Sequence, residues 1–62
     1  MKVTFTKYSV ISSGEEYYAL LDPMIKTIDG VKFIECTKDF KTPHYVNYSS
    51  LTKIGKIEHV FK

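Results

Sequence analysis

The chain contains no arginine: all nine of its basic residues are lysine, against seven acidic residues. Arginine contacts phosphates and guanine edges through paired hydrogen bonds, whereas lysine offers only a point charge. The absence therefore disfavours a specific reader of double-stranded DNA. The preference for lysine, with many isoleucines and tyrosines, is also typical of an A/T-rich coding sequence, which suggests a low-GC bacterium or one of its phages or plasmids.

Cysteine occurs once, at Cys36, so no intramolecular disulfide can form. Secreted domains of this size usually depend on disulfides, and we therefore expect a cytoplasmic location. No apolar run approaches the ~20 residues that cross a bilayer, so we expect no membrane partner. With 62 residues, the chain is too short for a Rossmann domain or a TIM barrel. We expect one domain, residues 1–62, with a thin margin of stability.

Glycine and proline are also scarce, with three and two residues, and the segments between them have the length of strands. In residues 2–11 apolar and polar side chains alternate, as they do in a strand. The apolar parity changes between Phe5 and Tyr8, and a β-bulge near Thr6 and Lys7 would explain that change. We therefore predict a first strand with an irregularity at this point.

The pair Asp29 and Gly30 separates two β-rich segments, residues 24–28 and 31–37. Asp-Gly between such segments predicts a hairpin, because a type I′ turn requires positive φ at both central residues. In the second of these segments Ile34 and Cys36 have the same parity, so they share one face. Two further strands are predicted at residues 44–48 and 56–61, after a polar loop at residues 38–42.

Residues 14–21 fit two structures. As a strand, residues 15–21 pair with the first segment across a turn formed by Ser12, Ser13 and Gly14. As a helix they place Tyr17, Leu20 and Leu21 on one face. A helix would hold only about two turns before Pro23, and isolated helices that short are marginal. We therefore favour the strand and keep the helix as the alternative.

Together these segments predict five or six short antiparallel strands, with one helical turn at residues 49–54 before the last strand. That turn begins with two serines, which cap helices well, and closes at Gly55. The arrangement resembles a small SH3-type curled sheet or barrel, a resemblance of architecture that carries no family motif. The predicted fold class is therefore mainly β, and a compact α+β fold with a helix at residues 14–21 is the alternative.

Two histidines and one cysteine are the residues whose chemistry bears on a metal or catalytic site. His44 lies beside Cys36 in a predicted neighbouring strand, and His59 lies 15 residues further along. A structural zinc site usually needs four nitrogen or sulfur ligands, and a catalytic one needs three with a water. A nucleophilic cysteine also needs an exposed thiolate, whereas Cys36 is predicted inside a strand. We expect no metal, no other cofactor and no enzymatic activity.

Aromatic residues make up 15% of the chain, and a domain of this size cannot bury all nine rings. Exposed tyrosines are enriched in protein interfaces, where they anchor contacts with a partner. An unpaired strand edge could also add to the sheet of a partner. The candidate protein-binding residues are Tyr17, Tyr18, Phe40, Tyr45 and Tyr48.

Phe40 is the most informative of these candidates, because an aromatic ring in a polar loop has no evident packing role. If Phe40 serves only the interface, the substitution Phe40→Ala weakens partner binding and barely changes the melting temperature. An equal loss of stability would place the ring in the core instead.

Two alternatives remain open. Exposed tyrosines beside lysines could stack the bases of single-stranded nucleic acid. The chain could also assemble with itself into a homodimer, because association supplies burial that a small domain lacks. The candidate nucleic-acid contacts are Tyr45, Tyr48, Lys53, Lys56 and Lys62.

The sequence therefore favours a small non-enzymatic protein that binds and modulates another protein. A single domain without catalytic parts can act only through its surface. Its size and its A/T-rich coding pattern are typical of phage- or plasmid-encoded inhibitors of host enzymes. The partner is expected to be a host or cognate protein.

Overall fold

The computed structural model describes all 62 residues and is built from six strands and one 3₁₀ turn. Strand residues make up 63% of the chain and helical residues 5%, which confirms the mainly β prediction. In chain order the elements are β1 (Lys2–Val10), β2 (Glu16–Leu20), β3 (Ile25–Ile28), β4 (Val31–Cys36), β5 (His44–Asn47), the 3₁₀ turn (Tyr48–Ser50) and β6 (Leu51–Val60).

The strands form two antiparallel sheets of three, ordered β2-β1-β6 and β3-β4-β5. A single bridge joins the sheets, where the backbone N–H of Tyr18 donates to Thr37 and the N–H of Thr37 donates back, each at 2.8 Å. The sheets do not close into a continuous barrel. Residues 14–21 contain β2, so the helical alternative is wrong and the strand prediction is confirmed.

The β3–β4 hairpin forms as its turn sequence predicts. Asp29 and Gly30 have φ values of 50° and 77°, and Ile28 lies opposite Val31 across the turn. Positive φ at both central residues gives the turn the twist that matches the flanking strands. The hairpin was predictable because its signal is local.

The irregularity predicted near Lys7 is present, but the extra residue lies in a different strand. Lys7 faces Gly55 and Tyr8 faces Lys53, so Ile54 of β6 has no partner on β1. The ladder between β1 and β2 runs without interruption. The bulge predicted in the first strand is therefore a bulge in β6.

The helical turn before the last strand is confirmed, but its position and cap are corrected. It covers Tyr48–Ser50, and the Oδ1 atom of Asn47 accepts hydrogen bonds from the Ser49 N–H at 3.0 Å and the Ser49 hydroxyl at 2.8 Å. From Leu51 onward the chain is strand, because Leu51 already pairs with Val10 of β1. Pairing with a distant strand overrides the local helical signal of residues 49–54.

The main core packs β1 and β2 against β4. Its buried members are Tyr8, Ala19, Ile34 and Cys36, and three partly buried side chains pack against them: Tyr17, Val46 and Leu51. Only six of the 62 residues are buried, which supports the expectation of a thin margin of stability. Ile34 and Cys36 share one face of β4, as their parity predicts, and the structure shows that this face is turned into the core.

Candidate functional site: an aromatic cluster and its cleft

A second cluster of rings packs around Phe5, whose parity along β1 is opposite to that of the core residue Tyr8. At its centre Phe40 stacks on His59, with centroids 3.9 Å apart, and on Tyr18 at 4.7 Å. Phe5 meets Phe40 edge-on at 5.1 Å. This set, called the ring cluster below, consists of Phe5, Tyr18, Phe40, His59 and Phe61.

The loop after β4 carries Phe40 into the ring cluster through a turn built on Asp39. The Oδ1 atom of Asp39 accepts hydrogen bonds from the N–H groups of Lys41 and Thr42, both at 2.9 Å, and from the Thr37 hydroxyl at 3.0 Å. Phe40 itself adopts φ = +62°, a left-handed conformation that costs a residue with a Cβ about 1 kcal/mol or more. The packing of the ring compensates for this strain.

The expectation that Phe40 lacks packing partners is therefore wrong. Its ring is half-buried between Tyr18 and His59. Phe40 does lie in a polar loop, as its neighbours in the sequence predict, but the fold of that loop over β1 depends on contacts between distant residues. Of the other ring-cluster members, His59 and Phe61 share a parity in the last strand, which was the only sequence signal for their grouping.

The Asp39 turn makes the free energy of unfolding depend on pH in the acidic range. Hydrogen bonds from the N–H groups of Thr42 and Lys41, followed by the Thr37 hydroxyl, hold the pKa of Asp39 well below its ordinary value of 3.8. A carboxyl whose pKa is lowered by folding stabilises the native state above its unfolded pKa, and that contribution disappears as the pH falls below it.

We therefore expect the wild-type protein to lose stability between pH 4 and pH 2 more steeply than the Asp39→Asn variant. Urea unfolding at stepped pH values measures this difference. Glu58→Gln is the matched control, because its carboxylate forms only an exposed ion pair with Lys2. Parallel acid profiles for the wild type and Asp39→Asn would contradict the role given to the turn.

A cleft of about 250 Å³ lies beside the ring cluster. Eight of its twelve lining residues are hydrophobic, and Phe5, Tyr18 and Phe40 contribute ring surface to it. Its polar lining includes Glu35 and Lys41. An apolar recess with a few polar groups is the usual form of a site that accepts an apolar side chain or ligand.

Of the five candidate protein-binding residues, the structure brings together only Tyr18 and Phe40, which stack in the cleft wall. Tyr17 has the opposite parity on β2 and packs against the core, with His44 at 6.1 Å and the Lys38 nitrogen 5.1 Å from its ring centroid.

The remaining two candidates lie elsewhere. The Tyr45 hydroxyl donates to Glu35 at 3.1 Å, and the Lys26 nitrogen lies 4.4 Å from the Tyr45 ring centroid. Tyr48 meets the core residue Tyr8 edge-on, with centroids 6.4 Å apart. Each ring therefore contacts the protein's own side chains, although both remain more than a third exposed.

The candidate nucleic-acid residues follow two different elements. Lys53 and Lys56 are exposed along β6, and Lys62 follows that strand at the end of the chain. Tyr45 lies in β5 and Tyr48 in the 3₁₀ turn, so the rings and the lysines come from different strands. None of the three lysines forms an ion pair with an acidic residue.

Cys36 and His44 are neighbours, as the sequence suggested, because they face each other across β4 and β5. Burial, followed by the nearby charge of Glu35, raises the pKa of the Cys36 thiol to about 11. At neutral pH the sulfur is therefore a protonated thiol, which is a poor nucleophile. His59 lies apart from this pair, in the ring cluster, and no three potential metal-ligating side chains are grouped together.

Comparison with protein-family models, with curated proteins and with solved structures gave no match to this chain. No helix in the structure is long and apolar enough to span a membrane. The features that bear on function are therefore those of the chain itself: the ring cluster with its cleft, and the open edges of the two sheets.

Proposed function

We propose that the chain is a non-enzymatic interaction protein that binds another protein by accepting an apolar side chain into the cleft. The observation that carries this proposal is the apolar recess beside Tyr18 and Phe40. Its volume of about 250 Å³ lies below the ~300–1,000 Å³ typical of pockets for small-molecule ligands. A recess of that size suits one or two side chains of a partner.

The walls of the cleft are held in place before a partner arrives. The Asp39 turn fixes the backbone on both sides of Phe40, and Tyr18 is anchored by its bridge to Thr37. Rigid aromatic walls lower the entropy cost of binding, and tyrosine is among the residues that most often dominate interface energies.

We also propose an SH3-like architecture for the fold and a phage or plasmid origin for the protein. The sheets β2-β1-β6 and β3-β4-β5, with a 3₁₀ turn before the last strand, support an open version of the SH3 plan, in which β2 and β3 act as one bent strand. The lysine-rich, arginine-free composition supports a phage- or plasmid-encoded inhibitor of a host enzyme in the cytoplasm.

The test compares two neighbouring exposed leucines. Leu20 lines the cleft and is 47% exposed, whereas Leu21 is 57% exposed and does not line it. In a pull-down from host lysate, a protein captured by the wild type is expected to bind Leu21→Lys equally and to be lost with Leu20→Lys. Equal capture by both variants would remove the cleft from the interface.

Two additions to this experiment distinguish a nucleic-acid partner from a protein partner. Capture is expected to survive nuclease treatment of the lysate. Labelled single-stranded oligonucleotides are expected not to bind at low salt, where lysine-driven affinity is greatest. Binding that falls steeply as salt rises would instead support the alternative contacts along β6.

A further inference from the structure

Strand β3 presents an open edge, because it lies at the end of its sheet and pairs only with β4. All four of its residues are exposed, and the apolar side chains Ile25 and Ile28 are 49% and 56% exposed. The open edge of β6 carries two lysines, Lys53 and Lys56, and the bulge at Ile54, whereas β3 carries one lysine, Lys26, and no bulge. Charges and bulges are the usual devices that prevent a strand edge from pairing with another chain.

The backbone groups that β3 offers can be identified from its pairing with β4. The Glu35 N–H donates to the Met24 carbonyl at 2.9 Å, and Ile28 pairs with Val31. Because hydrogen-bonded positions alternate along an antiparallel ladder, the even-numbered residues of β3 direct their backbone groups at β4. Ile25 and Thr27 therefore direct their N–H and C=O groups outward, where another strand could reach them.

A second copy of this chain fits that edge poorly. Two identical antiparallel strands related by a two-fold axis pair residues of equal parity, because the axis is perpendicular to the sheet. The register that uses the outward groups of both Ile25 and Thr27 sets the Lys26 side chains of the two copies directly opposite each other. Like charges at directly opposed positions destabilise strand pairing.

The charges around β3 favour a different occupant. Lys26 and Lys32 belong to none of the three ion pairs in the protein. Lys26 lies beside Phe33 and Lys32 beside Thr27 in the β3–β4 register, so the two lysines are on opposite faces of the sheet. Glu35, the acidic residue of β4, accepts a hydrogen bond from the Tyr45 hydroxyl. The Lys26 ammonium lies 4.4 Å from the Tyr45 ring centroid, and the acidic residues Asp22 and Asp29 lie outside β3, before and after it. An incoming strand therefore meets two lysines that form no ion pair, one on each face, with the exposed apolar side chains of β3 beside Lys26.

We propose that β3 binds an extended acidic segment of a partner protein by strand addition. Ile25 and Thr27 form the backbone hydrogen bonds, Lys26 pairs with an acidic side chain opposite it, and the flanking apolar residues of the segment cover Ile25 and Ile28. This surface is separate from the cleft, since no residue of β3 lines that cleft.

Two synthetic probes test the proposal on the full chain. Both are nine-residue peptides with valine at the two positions on each side of the central residue and threonine elsewhere, and the central residue is glutamate in one and lysine in the other. The glutamate peptide is expected to bind about fivefold tighter, the effect of an opposed charge pair across two strands. In amide hydrogen exchange, Ile25 and Thr27 are expected to gain protection on binding, whereas Lys26 and Ile28 are protected already.

Two variants make the test specific. Thr27→Pro removes an outward N–H that β4 does not use, so the fold is retained and the peptide is lost, as proline is tolerated at strand edges. Lys26→Glu is expected to reverse the preference between the peptides, and it keeps the test valid if the proline variant does not fold. Leu20→Lys, which changes the cleft, is expected to bind the glutamate peptide normally.

Three results would overturn the proposal. These are equal affinity for the two peptides, unchanged exchange at Ile25 and Thr27 with either peptide, and protection of those two amides that rises with protein concentration alone. The last result would identify the occupant as a second copy, and sedimentation at two concentrations would show the dimer.

Discussion

Phe40→Ala is expected to destabilise the protein by about 2 kcal/mol, less than the ~3–5 kcal/mol of a fully buried phenylalanine because the ring is half-buried. The substitution removes the stacking of Phe40 on Tyr18 and His59 and leaves an alanine at φ = +62°. This expectation replaces the one drawn from sequence, in which Phe40→Ala barely changes the melting temperature.

Phe40→Gly separates packing from backbone strain. Glycine removes the same ring but adopts positive φ without a steric penalty. The glycine variant is therefore expected to be more stable than the alanine variant by about 1 kcal/mol, although its side chain is smaller. In a domain of this size that difference corresponds to a shift of roughly 4–8 °C in melting temperature.

Thermal unfolding of the wild type and both variants measures these effects, with Tyr45→Ala as the control at a ring that is 40% exposed. An alanine variant as stable as the wild type would return Phe40 to the role of a free contact residue. A glycine variant less stable than the alanine variant would show that the left-handed turn is not maintained.

Ile34→Ala is expected to cost about 3 kcal/mol, within the range for deleting buried aliphatic side chains. Ile34 is 1% exposed and packs in the main core with Tyr8, Ala19 and Cys36. Folded domains have about 0.05–0.15 kcal/mol of stability per residue, so this loss takes a large part of what a small domain possesses. The variant is expected to be substantially unfolded at 37 °C.

Ile28→Ala is the matched control, since Ile28 lies in the same hairpin and is 56% exposed. Its cost is expected to stay within about 0.5 kcal/mol, as for other surface positions. Ile34→Val should fall between the two, at about 1 kcal/mol. Urea unfolding measures all three, and similar losses for Ile28→Ala and Ile34→Ala would contradict the inward orientation of Ile34.

Neither experiment depends on knowing the partner, and both bear on the proposed site. The ring cluster and the main core use opposite parities of β1, with Phe5 in one and Tyr8 in the other. Because both clusters pack on β1, loss of packing in one cluster is expected to destabilise the strand that supports the other. Binding tests at the cleft are therefore best made with exposed residues such as Leu20.

Part of the candidate site could be predicted from the sequence. Tyr18 and Phe40 were among the predicted contact residues, and both line the cleft. Their mutual stacking was not predictable, because it requires the loop after β4 to fold over β1. Phe5 and His59 were missed for the same reason: their partner Phe40 is at least 19 residues away along the chain.

The sequence alone determined the features that depend on a few neighbouring residues. Asp29 and Gly30 specify the hairpin through their backbone conformations, and the alternation in β4 places Ile34 and Cys36 on one face. Only the tertiary structure decided which strand carries the bulge, where the 3₁₀ turn ends and what Phe40 packs against. Those features depend on which distant segments meet, and the free energy of such contacts outweighs local preference without leaving a local pattern.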